Sequence, residues 1–395
     1  MSTLQLKEKI YSVGVLNPAL RVFDIIMTAE YGTSYNAYLI KGEKTALVET
    51  VHESFFDEYL ENLQNLCDVT KIDYLIMNHT EPDHSGSIHR LLALCPGLEI
   101  ISSVAAQKYL TSIVNVPFRS RIVKQGDTLD LGGMTLSFHP SPFLHWPDSM
   151  FTYESTTKTV FTCDFLGAHY CEPRVFDRFV HYPVKYEEAF RYYYDCIFGP
   201  FKPYVLAGLD KLAALEFDMV CPSHGPVLTD TIGDKIEKYR LWSTPKEKGD
   251  KKTVVIVYGS AYGYTKQLAL ASAQALEEAG YCVKSFDVVE DGLAEIIKAV
   301  EPCDALLIGS NTINRDATKP VWDVLTSIDA INTRKPAGAF GSFGWSGEAV
   351  PMIQTRLSQL KFNVVGEGFK INFRPTDIDK KNCADYALEV AAQIK

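Results

Sequence analysis

The stretch Asn78-His79-Thr80-Glu81-Pro82-Asp83-His84 (NHTEPDH) follows directly on the apolar run Tyr74–Met77 (YLIM). Four consecutive apolar residues bounded by polar ones have the length of a buried strand. Beyond its end, within six consecutive residues, stand four side chains able to bind a metal: His79, Glu81, Asp83 and His84. Two readings compete. One is a metal site; the other is a polar, helix-capping turn with Asp83 or Ser85 as the cap.

Working outward, other strand-like segments also end in a ligand-capable residue. SFHPSPFL runs to His145, TVFTC to Asp164 and DMVCPS to His224. The ends of strands are where distant parts of a chain converge on one site. Taken singly, a histidine in a turn is a hydrogen-bonded or solvated group, and that reading holds for His52, His89, His139 and His181. Four such endings beside one another's kind favour a site. Imidazoles and carboxylates without paired cysteines disfavour thiolate-selecting metals and suit iron, zinc or manganese. Seven protein ligands exceed what one transition metal takes, so two metals sharing a bridging carboxylate is the economical count. The number of carboxylates leans toward iron.

The segment Trp242–Thr253 (WSTPKEKGDKKT) is charged and almost without apolar residues, and marks a domain boundary. After it, TVVIVYGS, CVKSFDV and ALLIGSNT alternate with helix-length stretches, the pattern of βαβ units and a parallel sheet. GAFGSFGW and VVGEGFKINF supply two more strands. Residues 253–395 therefore read as a doubly wound α/β domain of flavodoxin size. Residues 1–248 carry strands in runs, with hairpin signals at KGEK, LGGM and STTK, and read as packed mixed sheets with outer helices.

In the second domain YGSAYGYT (258–265) follows a strand and precedes a helix, where backbone N–H groups and hydroxyls can surround a phosphate. A doubly wound sheet binds flavin mononucleotide (FMN) at its switch point. GSNTINRD (309–316) and GSFGWSGEA (341–349) follow later strands, and Tyr262, Phe343 and Trp345 are candidates to stack on the flavin ring. There is no GxGxxG for a nicotinamide cofactor, so electrons must come from a separate reductase or carrier.

A net charge of −10 argues against a nucleic-acid surface. The longest apolar runs are strand-length, which argues against a membrane span, and MSTLQLKEKI has no signal-peptide pattern. Nine cysteines, an odd number with no CxxC pair, fit reduced thiols and a cytoplasmic protein. They also leave no built-in rubredoxin site.

HxExDH, then a His, an Asp and a final His-Gly (SHG, 223–225), resembles the metallo-β-lactamase fold, an αββα sandwich. Hydrolases of that fold usually have HxHxDH, with a His where this chain has Glu81. The Glu form joined to a flavodoxin-like domain resembles the flavodiiron proteins, two-domain oxygen or nitric oxide reductases, over essentially the whole chain. The resemblance implies His79, Glu81 and His145 on one iron, Asp83, His84 and His224 on the other, and Asp164 bridging them. It implies a substrate pocket with His169 and Tyr193. For FMN it implies contacts from Ser260, Tyr262, Gly263, Tyr264 and Thr265 and from Ser342, Phe343, Gly344, Trp345 and Gly347, while Ser310, Thr312 and Asn314 are candidates from the loop 309–316. Dioxygen or nitric oxide is then the substrate, rubredoxin or another reductase the donor, and a head-to-tail homodimer or a dimer of dimers the assembly. Asp24 stands where many flavodiiron proteins have a His. The rival is a zinc hydrolase of the same fold, such as a thioesterase, with a metal-bound water as nucleophile.

Overall fold

The computed structural model describes residues 3–245 and 249–395. The chain divides into two compact units, 1–245 and 246–395. The expected end of the first domain, at residues 246–248, lies outside the described residues.

The first unit is built on two sheets. A seven-stranded sheet runs in the order Leu4–Lys7, Ile10–Ser12, Tyr38–Lys41, Thr45–Val48, Tyr74–Met77, Glu99–Ser102 and Arg119–Ile122. Its last four strands are parallel. A five-stranded sheet runs Thr128–Asp130, Thr135–Pro140, Met150–Glu154, Thr159–Cys163 and Met219–Pro222, and only its last pair is parallel. Alternation along the strands sorts three apolar layers. Ile40, Val48, Ile76 and Ile101 of the first sheet meet Leu136, Phe138, Phe161 and Met219 of the second between the sheets. Leu39, Leu47, Leu75 and Ile100 point the other way, onto Phe56, Tyr59 and Leu63 of helix Phe56–Gln64 and onto Leu110 of helix Val104–Val114. Phe151, Val160 and Val220 pack on the far side against helices Pro183–Tyr193, Lys202–Ala213 and Ile232–Ser243. The result is the αββα sandwich.

The turns at KGEK, LGGM and STTK each join antiparallel neighbours. Helix Ile232–Ser243 extends into the segment read as a boundary, because Trp242 packs against Phe190, Tyr194 and Tyr239 of the outer core.

The second unit is a parallel sheet in the order Cys282–Asp287, Thr253–Gly259, Ala305–Ser310, Pro336–Phe343 and Asn363–Val364, with Phe369–Asn372 also pairing to Pro336–Phe343. Helices Leu293–Val300, Lys319–Ser327 and Ala349–Gln359 cover one face through Ile296, Val321 and Ile353. Tyr264–Glu278 and Asp377–Ala391 cover the other through Leu268 and Ala387. Strands buried on both faces are near-continuously apolar, as VVIVY and ALLI are. This is the doubly wound 2-1-3-4-5 strand order of flavodoxin. Among the described residues no helix is long and apolar enough to cross a membrane.

Candidate metal centre

Three of the ligand candidates stand just past strand ends. His79 lies two residues beyond Tyr74–Met77, Asp164 directly after Thr159–Cys163, and His224 two residues beyond Met219–Pro222. The last two strands are parallel partners with Cys163 opposite Pro222, so Asp164 and His224 leave the sheet together. Pro82 opens a four-residue helical turn, Pro82–Ser85, that carries Asp83 and His84 inward. His145 is placed differently from expectation. Its strand stops at Pro140, since Pro140 and Pro142 have no N–H for a ladder, and His145 reaches the site from the loop that follows.

The helix-cap reading of NHTEPDH does not survive the geometry. Glu81 occupies the N-cap position without a side-chain capping bond, and the Ser85 hydroxyl donates to the Thr80 and Glu81 carbonyls. Neither oxygen of Asp83 accepts a hydrogen bond, though the side chain is buried.

Seven side chains gather into two sets that share one carboxylate. His79 Nε2 lies 3.2 Å from Glu81 Oε2 and 3.6 Å from Asp164 Oδ2. His145 Nε2 lies 3.1 and 3.5 Å from the same two oxygens. In the second set, His84 Nε2 is 3.1 Å from Asp164 Oδ1 and 3.4 Å from Asp83 Oδ1. His224 Nε2 is 3.0 Å from Asp83 Oδ2 and 3.5 Å from Asp164 Oδ1. Both oxygens of Asp83, both of Asp164 and Nε2 of His84 are buried without a hydrogen-bond partner. Buried polar atoms are paired as a rule. Here they point to shared positions rather than at one another, which is the donor arrangement of cation ligands. All donors are nitrogen or oxygen, a set that suits iron or zinc.

The far side of two rings is fixed. Asp148 Oδ2 accepts from His79 Nδ1 at 3.1 Å and from the Thr80 N–H and hydroxyl. The Ser34 carbonyl accepts from His224 Nδ1 at 2.6 Å. Each ring therefore presents Nε2 to the cluster, the orienting role of groups behind metal ligands. Nothing in the sequence spacing marks Asp148 or Ser34.

Without a cation the cluster is a strongly coupled set of charges. Burial would lower His84, but Asp83 and Asp164 outweigh it and hold the ring at about 10. Burial would raise Glu81 and Asp164, but the surrounding imidazoles keep both well below the usual carboxylate range.

His169 and Tyr193 lie beside the second set. The His169 ring sits 4.8 Å from His224 and 4.8 Å from Tyr193, and packs at 4.4 Å on Phe23. Its Nδ1 meets the Thr33 hydroxyl at 2.9 Å, while Nε2 is buried without a partner. Burial and His224 push His169 down to about 3, so the ring is neutral. Burial keeps the Tyr193 phenol protonated. Asp24 is exposed as a residue, yet partial burial of its carboxyl and the neighbouring Glu81 raise it to about 6. The histidines set aside have ordinary roles: His52 accepts from the Ser54 N–H, His89 faces Glu53, and His139 bonds Gln125 and Ser137.

In the second unit the flavin candidates fall into three loops at the carboxyl ends of neighbouring parallel strands. Gly263, at φ +76°, turns the chain into helix Tyr264–Glu278, and the Ser260 hydroxyl accepts from the Lys266 N–H. Thr265 is buried and its hydroxyl accepts from the Ser342 N–H, tying the first loop to the third. Ser310 accepts from the Thr318 N–H, and Thr312 from the Ala349 N–H. Asn314 takes φ +54° in the turn between Thr312–Ile313 and Asp316–Ala317. Gly344 and Gly347 pack under Phe373 and Phe343. Tyr262 and Trp345 are 86% and 88% exposed, so neither is a core residue. Tyr262 precedes helix Tyr264–Glu278 and Trp345 precedes helix Ala349–Gln359, and exposed rings in loops that lead into helix N-termini fit a flat phosphate-bearing cofactor.

Comparison with known proteins agrees in both units. The model of the ODP family beta lactamase matches residues 33–225, and the Flavodoxin model matches residues 256–386. Flavo-diiron protein FprA2 of Clostridium acetobutylicum is 48% identical, with all of both chains covered. The chain belongs to the flavo-diiron protein family. Type A flavoprotein fprA of Rhodobacter capsulatus is 35% identical over 93% of this chain and 86% of its own. Among solved structures, rubredoxin oxygen:oxidoreductase from Desulfovibrio gigas superposes with a TM-score of 0.69 at 29% identity, covering 100% of this chain and 98% of that one. Flavo-diiron proteins are oxidoreductases whose cofactors are FMN and a non-heme diiron pair.

Proposed function

We propose that this flavo-diiron protein reduces dioxygen to water, nitric oxide to nitrous oxide, or both. The observation that carries the reading is the paired cluster itself: Asp164 faces both ligand sets, and Glu81 takes the place of the hydrolases' second His. The flavodoxin unit on the same chain speaks equally against a zinc hydrolase, which has no use for FMN.

His79, Glu81 and His145 would hold one iron, Asp83, His84 and His224 the other, with Asp164 between them. When bound, the irons supply binding and reduction of the gas, and FMN supplies the electrons. The protein's own part is positioning and exclusion of water. Asp148 and the Ser34 carbonyl aim two imidazoles. His169, neutral and with a buried Nε2, is placed to hydrogen-bond a small substrate, and the protonated Tyr193 phenol completes that wall. Residues 1–248 carry this chemistry, and residues 253–395 carry FMN in the loops at 260–265, 310–314 and 342–347.

A separate carrier delivers the electrons. The name of the Desulfovibrio gigas relative supports rubredoxin or a protein like it. We assign a head-to-tail homodimer, or a dimer of dimers, as the working unit. All nine cysteines are free thiols, which supports a cytoplasmic setting.

Glu81→Ala and Asp164→Ala test the assignment. Each should abolish consumption of both gases and lower iron content while FMN stays bound. Full gas consumption by either variant would remove that residue from the site.

A further inference from the structure

A cleft of about 790 Å³ lies in the first unit and touches none of the seven ligand residues. Its walls are apolar, with Val104, Tyr109 and Val123 joined by three prolines. Its charged lining is three lysines, Lys108, Lys124 and Lys211, and no carboxylate. Acidic residues outnumber basic ones 49 to 39 in the chain, so a cleft lined by cations alone is unexpected. None of the three lysines forms an ion pair among the described residues. Lys211 donates to the Pro140 carbonyl, a neutral partner, and its charge is felt by His139. The eleven-residue helix Val104–Val114, capped by Ser103, begins at the cleft and adds the positive end of its dipole.

We propose that this cleft binds a small organic anion, a phosphate, sulfonate or carboxylate carried on an apolar or aromatic body. Unpaired ammonium groups on an open surface are served by water and salt. Here three of them rim one open cleft whose walls are apolar and whose volume is that of a small-molecule site, which matches a ligand with both a charge and a body. The cleft also adjoins the metal centre from behind. Tyr109 meets the edge of Trp146 at 6.2 Å, and Trp146 lies 5.1 Å from His79 and 6.1 Å from His145. The Ser103 hydroxyl donates to the main-chain carbonyl of Asp148, whose carboxylate braces His79. An occupant would thus press on the loop that orients one ligand set. The assignment goes beyond the gas chemistry and does not depend on it.

The test titrates the iron- and FMN-loaded protein with 1-anilinonaphthalene-8-sulfonate, followed by probe fluorescence, with uncharged 1-anilinonaphthalene as control. The proposal expects one saturable site per chain. Lys108→Glu with Lys124→Glu should weaken it about tenfold or more, as should removal of the sulfonate. Iron and FMN contents should not change. Both lysines are exposed, and Lys124→Glu alone provides a milder variant. No saturable binding, equal affinity in the charge-reversed variants, or equal affinity for the uncharged probe would each overturn the proposal.

Discussion

At the scale of single residues, function hangs on where nitrogen and oxygen lone pairs point. Glu81, Asp83 and His84 could be read as candidate donors from the sequence because chain-local spacing brings them together. His145, Asp164 and His224 could be read because each follows an apolar run. The groups behind them could not: Asp148 reaches His79 from 69 positions away, and Ser34 reaches His224 from 190. No periodicity encodes a contact of that range. Asp148→Asn keeps the shape but can offer an N–H to His79 where the carboxylate accepts one. We expect iron affinity to fall by about 10- to 100-fold, with the fold intact by circular dichroism. Competition with a chelator measures the shift, and an unchanged affinity would show that the ring needs no brace.

At the scale of elements, the second unit was readable almost throughout. Its three central strands, Thr253–Gly259, Ala305–Ser310 and Pro336–Phe343, are buried on both faces and so appear as near-continuous apolar runs, and its helices fill the gaps between them. The first unit is harder to read, because its central strands are also buried on both faces but divide between two sheets of mixed pairing, and the segment running to His145 reads as strand although the strand ends at Pro140. Close backbone approach at the flavin end is invisible to such patterns. A Cβ on Gly341 would fall on the main-chain oxygen of Ser310, between two central strands. Gly341→Ala should therefore force these strands apart, destabilising the second unit by about 1–3 kcal/mol and weakening FMN binding. Urea unfolding monitored by flavin fluorescence reads both. Wild-type midpoints would mean that the strands yield at no cost.

At the scale of the whole molecule, the metal centre makes stability and metal content depend on pH. In metal-free protein His84 is held at about 10, against an ordinary value of 6.5. A folded-state value raised above the unfolded one contributes stability that is complete below 6.5 and is lost as pH rises toward 10. Metal-free protein should thus lose stability between those limits. The same proton must leave when a cation binds, so ferrous iron added at pH 7 should release protons into weak buffer and bind more tightly as pH rises. Binding without proton release would contradict this charge state.

One chain that carries a diiron pair and FMN should turn over a gas. Protein purified without oxygen should contain two irons and one FMN per chain, and should consume dioxygen or nitric oxide when supplied with reduced rubredoxin. Two zincs, no flavin and no gas consumption would contradict a flavin- and iron-dependent reductase and return the fold to hydrolysis.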